Sequence, residues 1–348
     1  MSSIIVSKQE SSNKLLWNEL AELNSNFFQN TIYDQIQSLY KNKPIYFELW
    51  EAEKLIAGVK IYYWESIKLG NISKAVSKFI FQYGELICDP LITDQTEIAK
   101  RILKLQTAVD QFIKDEQIVS AQIYGVYGNP ELLLKFNFKS KDDFHFNSAY
   151  VDLCEDNGDQ FYNKFNRNTK RNLKKALDNN LEFSELNDSD LFHETLKKIF
   201  SQQIPVKPPP HKKLTDQYFN LLSGKFELST HQVKRGNEIL AVSLFVKYGT
   251  NAYSLFGGSI KNDIGAGHYL YYELMKLFRQ QKICKFYFGQ VAQEGNEDNK
   301  KFSIGITGFK KGFGLTELPS YKKTYIFNPI KNTLWEIMKR MGGLTAGK

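Results

Sequence analysis

A short glycine-containing turn is the first stretch whose residue types and spacing suit chemistry. Asn262, Gly265, Ala266 and Gly267 lie between an apolar run and a run with helical spacing. Glycines at the start of a helix let backbone N–H groups point at an anion, and the helix dipole favours negative charge there. The turn is therefore predicted to bind an anionic cofactor or co-substrate. An ordinary helix start with two turn glycines explains the pattern equally well.

The glycine hypothesis predicts the effect of a substitution. A valine at Gly265 or Gly267 is expected to abolish binding of the anion, because a Cβ would block close approach of the backbone. The fold is expected to stay largely intact.

A basic stretch lies near the middle of the chain. Six positive residues and no acidic residue occur between Phe161 and Leu177. Lys170 and Lys174 are four residues apart, so their repulsion opposes a helix unless an anion lies nearby. We predict that Lys170, Arg171 and Lys174 bind an anionic substrate. The alternative is a solvated helix face, which is the usual explanation for such a run.

Two further side chains have types suited to proton transfer. His268 would lie in the first turn of the helix after the glycine turn, where the dipole keeps an imidazole neutral and suited to act as a base. Tyr287 lies near the end of a short strand and could transfer a proton, although a packed core tyrosine is the commoner role. No Ser-His-Asp or Cys-His pattern supports covalent catalysis, and no cluster of His, Cys and Asp predicts a metal site.

The elements that must position these residues form two similar series. Residues 45–128 have the pattern strand, strand, strand, helix, strand, and residues 238–290 have the pattern strand, strand, helix, strand. This shared order predicts an α/β (α+β) protein with two tandem domains, each a mixed sheet flanked by helices. The predicted domains are 1–149 and 150–330, followed by an amphipathic helix and tail at 331–348.

The composition is that of a folded protein whose net charge favours anionic partners, with a merely basic protein as the alternative. The chain has 348 residues, of which 42% are hydrophobic, and a net charge of +8. This charge favours phosphates, nucleotides, tRNA or an anionic membrane surface. The three cysteines lack C-x-x-C spacing, which argues against a zinc site or a disulfide framework and favours a reducing compartment. With no apolar leader and no run of about 18 apolar residues, a cytoplasmic location is predicted, with peripheral membrane contact left open.

Three motifs resemble those of acyltransferase families. N-x-x-G-x-G at 262–267 resembles the acyl-coenzyme-A signature of the GNAT acetyltransferases, with Asn262 in place of their Gln or Arg. TKRNLKKA at 169–176 is similar to a basic helix of the Fem-type aminoacyltransferases (FemAB and FemX). These tandem GNAT-like proteins add amino acids from aminoacyl-tRNA to peptidoglycan precursors. GFKKGFG at 308–314 resembles their F-K-x-G-F-G motif. One departure is Tyr287, because related members often have the Asp of D-F-G there.

The resemblance implies two tandem GNAT-like domains and an N-acyltransferase. The acceptor would be an amine of an anionic, cell-envelope precursor, either a small molecule or lipid-linked. The donor would be acyl-coenzyme A or aminoacyl-tRNA, with no tightly bound cofactor. Lys310 matches the lysine of the family's Phe-Lys pair and would stabilise the developing oxyanion from a glycine-flanked loop. Phe309 would contact the substrate.

Two alternatives stay open. Lys310 could be one lysine of an exposed surface pair with Lys311. The whole chain could be a non-catalytic tandem-GNAT module that binds RNA or an anionic glycolipid through the basic helix.

Overall fold

The computed structural model describes residues 2–65, 78–83, 85–125, 132–138, 140–154, 159–202, 208–222, 227–261, 264–292 and 304–342. The chain forms two compact units, Met1–Phe146 together with Leu318–Lys348, and Asn147–Glu317. The first unit therefore includes the C-terminal part of the chain. The domains predicted from the sequence place that part in the second domain and in a separate tail.

The elements follow one another in mixed α/β order. Those up to residue 125 are β1 (Ser2–Lys8), α1 (Lys14–Leu23), α2 (Tyr33–Ser38), β2 (Lys43–Glu51), β3 (Lys54–Glu65), β4 (Lys78–Tyr83), β5 (Ile87–Cys88), α3 (Gln95–Asp115) and β6 (Ser120–Gly125). Those after it are β7 (Ser140–Asp152), α4 (Arg167–Asp178), β8 (Glu182–Glu185), α5 (Ser189–Ser201), α6 (Lys212–Leu222), β9 (Glu227–Arg235), β10 (Glu238–Tyr248), β11 (Asn251–Ser259), α7 (Ala266–Gln280), β12 (Lys285–Val291), α8 (Ile304–Lys311), β13 (Thr316–Ile326) and α9 (Pro329–Gly342).

The sheet of the first unit has the strand order β1-β2-β3-β4-β6-β13, and β5 pairs with β3. β4 and β6 are parallel and are joined through α3, whereas the other neighbours are antiparallel. The closing strand β13 comes from the far end of the chain and pairs with β6 over Tyr321–Ile326. This pairing explains why the C-terminal residues belong to the first unit.

Helix α3 covers one face of this sheet, as its apolar spacing predicts. Leu105, Val109 and Phe112 are buried, and the ring of Phe112 lies 5.7 Å from that of Phe47 on β2. The helix begins after Asp94, whose side chain caps it by accepting a hydrogen bond from the backbone N–H of Thr96.

The sheet of the second unit has the strand order β7-β12-β11-β10-β9-β8. β11 and β12 are parallel and are joined through α7, while β9, β10 and β11 are successive antiparallel neighbours. The series β9-β10-β11-α7-β12 repeats the series β2-β3-β4-α3-β6 of the first unit. The prediction of two tandem units, each with a mixed sheet and helices, is therefore confirmed.

One disulfide links two strands of the second unit. Cys154 follows β7 and Cys284 precedes β12, and their sulfurs are bonded with the Cα atoms 4.7 Å apart. The cysteine spacing predicts no disulfide framework, and that prediction is wrong for this pair. The 130-residue separation conceals the pairing, which only the antiparallel register of β7 and β12 creates. Cys88 is a free, buried cysteine.

Candidate active site

The GFKKGFG motif packs on the N-terminus of α4. The side chain of Asn166 caps that helix by accepting from the backbone N–H of Thr169, and the backbone N–H of Asn166 donates to the carbonyl of Gly312 at 2.9 Å. A Cβ at Gly312 would overlap the hydroxyl oxygen of Thr169. Glycine is therefore required here so that the two segments can approach closely.

The glycine turn packs against the middle of α4. Gly265 has a φ of +78°, and a Cβ there would overlap the backbone carbonyl oxygen of Asn172. A Cβ at Gly267 would lie 2.7 Å from the hydroxyl oxygen of Ser259, and Ala266 is fully buried. The space beside both glycines is therefore filled by this protein's own chain. A valine at Gly265 would require the backbone of α4 to move, against the expectation of an intact fold, whereas at Gly267 the nearest atom belongs to a serine side chain.

Asn262, the first residue of the glycine motif, lies outside the described residues.

His268 lies against the aromatic part of the GFKKGFG motif. Its ring is 4.8 Å from Phe309 and 5.8 Å from Phe313, and its Nε2 lies 3.4 Å from the side-chain nitrogen of Asn172. Burial lowers the pKa of His268 to about 4, because a charged imidazole would lose its hydration. The ring is therefore neutral at pH 7, as predicted, but desolvation is the cause.

Lys310 lies on a helix and not in a glycine loop. It belongs to the last turn of α8, and the glycines at 312 and 314 follow the helix. Its ammonium donates a hydrogen bond to the backbone carbonyl of Gln290 at 2.9 Å. Burial lowers the pKa of Lys310 to about 8. Among the described residues, no carboxylate pairs with this ammonium, whereas the neighbouring Lys311 pairs with Glu317 at 2.9 Å.

The sheet of the second unit opens beside Lys310. β11 and β12 pair only from Asn251 opposite Lys285 to Tyr253 opposite Tyr287. Beyond that point, β11 stays paired with β10 and β12 stays paired with β7, each to the end of the strand. The two parallel strands therefore separate and leave an opening with backbone groups on both sides.

Gln290 lies on the separated part of β12. The neighbouring Gly289 has a φ of +81°, and the β12–β7 register shifts between Tyr287 and Gly289. Such a bulge bends the strand and changes the direction of its backbone groups locally. The carbonyl that holds the Lys310 ammonium thus lies next to a bulge, at the edge of the opening.

Tyr287 points away from this group. Its ring is stacked 5.0 Å from Tyr253 and lies 5.3 Å from Tyr150, and only 4% of the residue is exposed. Its neighbours Phe286 and Phe288 contact Tyr271 on α7, on the opposite face of the strand. The structure therefore brings Phe309 and His268 into contact, with Lys310 next to Phe309 on α8, and does not bring Tyr287 to them.

The basic residues of α4 lie on its outer side. Leu173 is buried, whereas Arg171 and Lys174 are exposed. Lys170 donates to the carbonyl of Asn163 at 3.0 Å, and Arg171 donates to the side chain of Asn168 at 2.7 Å. This arrangement fits both a solvated face and a surface for a large anion.

Two hydroxyl groups at the opening were not among the site residues predicted from the sequence. Ser254 is the first residue of β11 beyond the last pair with β12, and its hydroxyl oxygen lies 3.4 Å from that of Tyr271 on α7. Burial raises the pKa of Tyr271, so its hydroxyl stays protonated. No local sequence motif identifies this pair. Its two hydroxyl groups lie at the opening only because β11 and β12 separate there in the folded protein.

Two negative findings apply to the part of the chain that the structure describes. No group of three or more His, Cys, Asp or Glu side chains there could hold a metal ion. No described helix is both long and apolar enough to cross a membrane.

The comparisons with known proteins rest on structure alone, since no family model and no curated protein matches the sequence. The structure is similar to a crystal structure of FemX, with a TM-score of 0.67 and 13% identity over 96% of this chain and 100% of that chain. It is also similar to a tandem GNAT protein from the clavulanic acid biosynthesis pathway, with a TM-score of 0.53 and 8% identity over 94% of this chain and 99% of that chain.

A third similar structure is the C-terminal domain of a putative lysylphosphatidylglycerol synthetase from Agrobacterium fabrum. Its TM-score is 0.52, with 12% identity over 96% of this chain and 99% of that chain. All three cover nearly the whole chain, so the shared fold extends over both units. The chain has the tandem GNAT fold of FemX.

Proposed function

We propose that this chain, with the tandem GNAT fold of FemX, is an N-acyltransferase that transfers an acyl or aminoacyl group to an amine of an anionic acceptor. The observation that carries the proposal is the position of Lys310. Its ammonium lies at the separated end of β12, is held by one backbone carbonyl and has no carboxylate partner among the described residues.

This position suits the stabilisation of a developing oxyanion. When an amine attacks an acyl carbonyl, negative charge grows on the carbonyl oxygen, and a pre-positioned donor in a water-poor site stabilises it. With a pKa of about 8, Lys310 is mostly protonated at pH 7 and can supply that charge. Phe309 and His268 would form an apolar wall beside it, and the low pKa of His268 makes it a weak base.

The donor that fits best is an aminoacyl-tRNA. The carbonyl oxygen of Asn172 packs against Gly265 and brings a negative partial charge to the start of α7, where a pyrophosphate would have to bind. That observation disfavours the GNAT mode of binding acyl-coenzyme A at this turn. The exposed Arg171 and Lys174 on α4 instead offer positive charge to an RNA backbone.

The acceptor in this proposal is an amine on an anionic cell-envelope precursor, either a nucleotide-linked peptide or a lipid-linked one. A lipid-linked acceptor would bring the chain into peripheral contact with an anionic membrane. These assignments rest on the net charge of +8 and on the fold shared with FemX.

A second function has one observation in its favour. Tyr287 occupies the place where the resemblance leads us to expect an acidic residue, and it is packed between two tyrosines. A chain without that carboxylate could bind RNA or an anionic glycolipid without catalysis.

Thermal unfolding with candidate ligands tests the proposal. Uncharged tRNA, aminoacyl-tRNA, acyl-coenzyme A and a UDP-sugar-peptide would be added singly. A ligand at a hundred times its Kd stabilises the folded state by about 2.7 kcal/mol. Stabilisation by tRNA and by the UDP-sugar-peptide, followed by transfer when both are present, is expected. Stabilisation without transfer would favour the binding module, and no stabilisation by any of them would contradict both functions.

A further inference from the structure

A cavity in the first unit lies outside the candidate active site. It has a volume of about 430 Å³, which is within the range of small-molecule sites. Strands β3, β4, β6 and β13 form its floor, and helices α2 and α9 contribute its walls. Nothing in the proposed acyl transfer uses these residues.

Aromatic rings give the cavity a rigid apolar surface. The rings of Trp64 and Phe79 are stacked 5.1 Å apart, and Trp335 lies 5.5 Å from Trp64 and 5.4 Å from Phe79. Trp335 is only 6% exposed, so its position is fixed by packing. Trp64 and Trp335 both line the cavity, and no residue that the structure describes accepts a hydrogen bond from either indole N–H.

Amide side chains supply further hydrogen-bonding atoms. The Oε1 of Gln37 accepts from Asn42 at 2.9 Å, and the Oε1 of Gln122 accepts from the hydroxyl of Tyr124 at 2.6 Å. The Nε2 atoms of Gln37 and Gln122, the Oδ1 of Asn42 and the side-chain amide of Asn332 have no partner within the described ranges. Polar atoms that converge on a cavity without protein partners are satisfied by water or by a ligand.

The charge of the lining decides which ligand fits. Its charged residues are Glu336 and Lys339, which have opposite signs and lie on the same helix. The lining is therefore neutral overall, rich in amides and hydroxyls, and aromatic on its floor. An anionic ligand would find no excess positive charge here.

We propose that this cavity binds an uncharged sugar ring. The C–H face of a sugar packs on aromatic rings, and its adjacent hydroxyls both donate to and accept from amide groups, which matches the mixed set at Gln37, Asn42, Gln122 and Asn332. The inference goes beyond acyl transfer and does not depend on it, because it rests on residues of the first unit alone.

Titration of the full chain with glucose, galactose, N-acetylglucosamine and mannose tests the inference, with tryptophan fluorescence and calorimetry as readouts. A single sugar is expected to bind with a millimolar Kd. The Asn332→Leu variant should bind at least about tenfold more weakly, since an amide that bonds the sugar is lost. Thr333→Leu, an exposed position one residue further along the same helix, is the matched control and should bind normally.

Three results would overturn the inference. They are the absence of saturable binding by every sugar, equal weakening in both leucine variants, and tighter binding of uridine or adenosine than of any sugar. Gln122→Met serves as a second variant, and a thermal midpoint for each protein confirms that it is folded. A folded Gln122→Met protein that binds sugar as the wild type does would also count against the site.

Discussion

Lys310 and Lys311 are adjacent in the chain but have different surroundings. The ammonium of Lys310 lies on the carbonyl of Gln290, whereas that of Lys311 pairs with the carboxylate of Glu317. If Lys310 stabilises the transition state, Lys310→Ala should lower kcat and kcat/KM together by about a hundredfold, with little change in KM. Lys310→Arg should restore activity only partly, because a planar guanidinium places its charge differently.

Steady-state kinetics of the Lys311→Ala variant provide the control, and this variant should be nearly as active as the wild type. A rise in KM alone for Lys310→Ala would make Lys310 a ground-state binding residue. Equal losses at both positions would mean that general positive charge is sufficient.

The lowered pKa of Lys310 predicts a pH dependence. A pKa of about 8 means that the ammonium loses its proton well below the usual pKa of about 10.4. The cation is present below pH 8 and is lost above it, so kcat/KM should fall above pH 8 relative to Lys310→Arg, whose guanidinium stays charged. The acceptor amine titrates in the same way with both proteins, so its effect cancels in the ratio of the two kcat/KM profiles. A ratio that rises through pH 8 would instead show that neutral Lys310 acts as a base.

The sequence identified Phe309 and His268, whose rings lie 4.8 Å apart, and Lys310, whose ammonium donates to the carbonyl of Gln290. It did not reveal the hydrogen-bond partner of Lys310. The carbonyl of Gln290 accepts that bond on the part of β12 that is no longer paired with β11, and this separation of the strands is not visible in the sequence. The sequence also suggested a role for Tyr287 that its orientation does not support, since side-chain direction in a strand depends on register and on the covering helices.

Helix α4 packs so closely on the start of α7 that Gly265 is needed for the contact. Gly265 and Gly236 both have positive φ, but a Cβ at Gly236 meets no atom within 4 Å. Gly236→Ala should therefore cost about 1 kcal/mol of unfolding free energy for its backbone conformation alone. Gly265→Ala should cost about 3 kcal/mol or more, because α4 must also move.

Denaturant unfolding of both alanine variants measures the difference. Equal losses would mean that α4 shifts at no cost, and the glycine turn would again be open to an anion. The sequence predicted the helix after the glycine turn correctly. It did not identify the segment that packs against the turn, because Asn172 lies 93 residues before Gly265 in the chain.

The disulfide between β7 and β12 predicts a redox-dependent stability. Closing a loop of 130 residues stabilises a fold by up to about 5 kcal/mol in the chain-entropy model. A reductant should therefore lower the thermal midpoint of the wild type, and Cys154→Ser should have the lower midpoint without reductant. If the reductant lowers the midpoint of Cys154→Ser as much as that of the wild type, the bond is not the cause.

At the scale of the molecule, the sequence predicted the repeated order of strands and helices in both halves, because this order depends on local periodicity. It did not predict that β13 returns to the first unit. That pairing joins residues 120–125 with 321–326, and no local pattern encodes a contact at such a separation. The domain boundaries drawn from the sequence therefore differ from the compact units at the C-terminal end.

Acyl transfer by the full chain tests the proposed function more directly than any binding measurement. The donor is a radiolabelled aminoacyl-tRNA, the acceptor is the amine of a UDP-sugar-peptide, and the readout is acid-stable amide product. We expect product with the wild type and with Lys311→Ala, and about a hundredfold less with Lys310→Ala. We also expect little product when acyl-coenzyme A replaces the aminoacyl-tRNA, because the carbonyl of Asn172 on α4 packs against the glycine turn. A folded wild-type protein that binds both substrates and forms no amide, or a Lys310→Ala variant as active as Lys311→Ala, would rule out the proposed function.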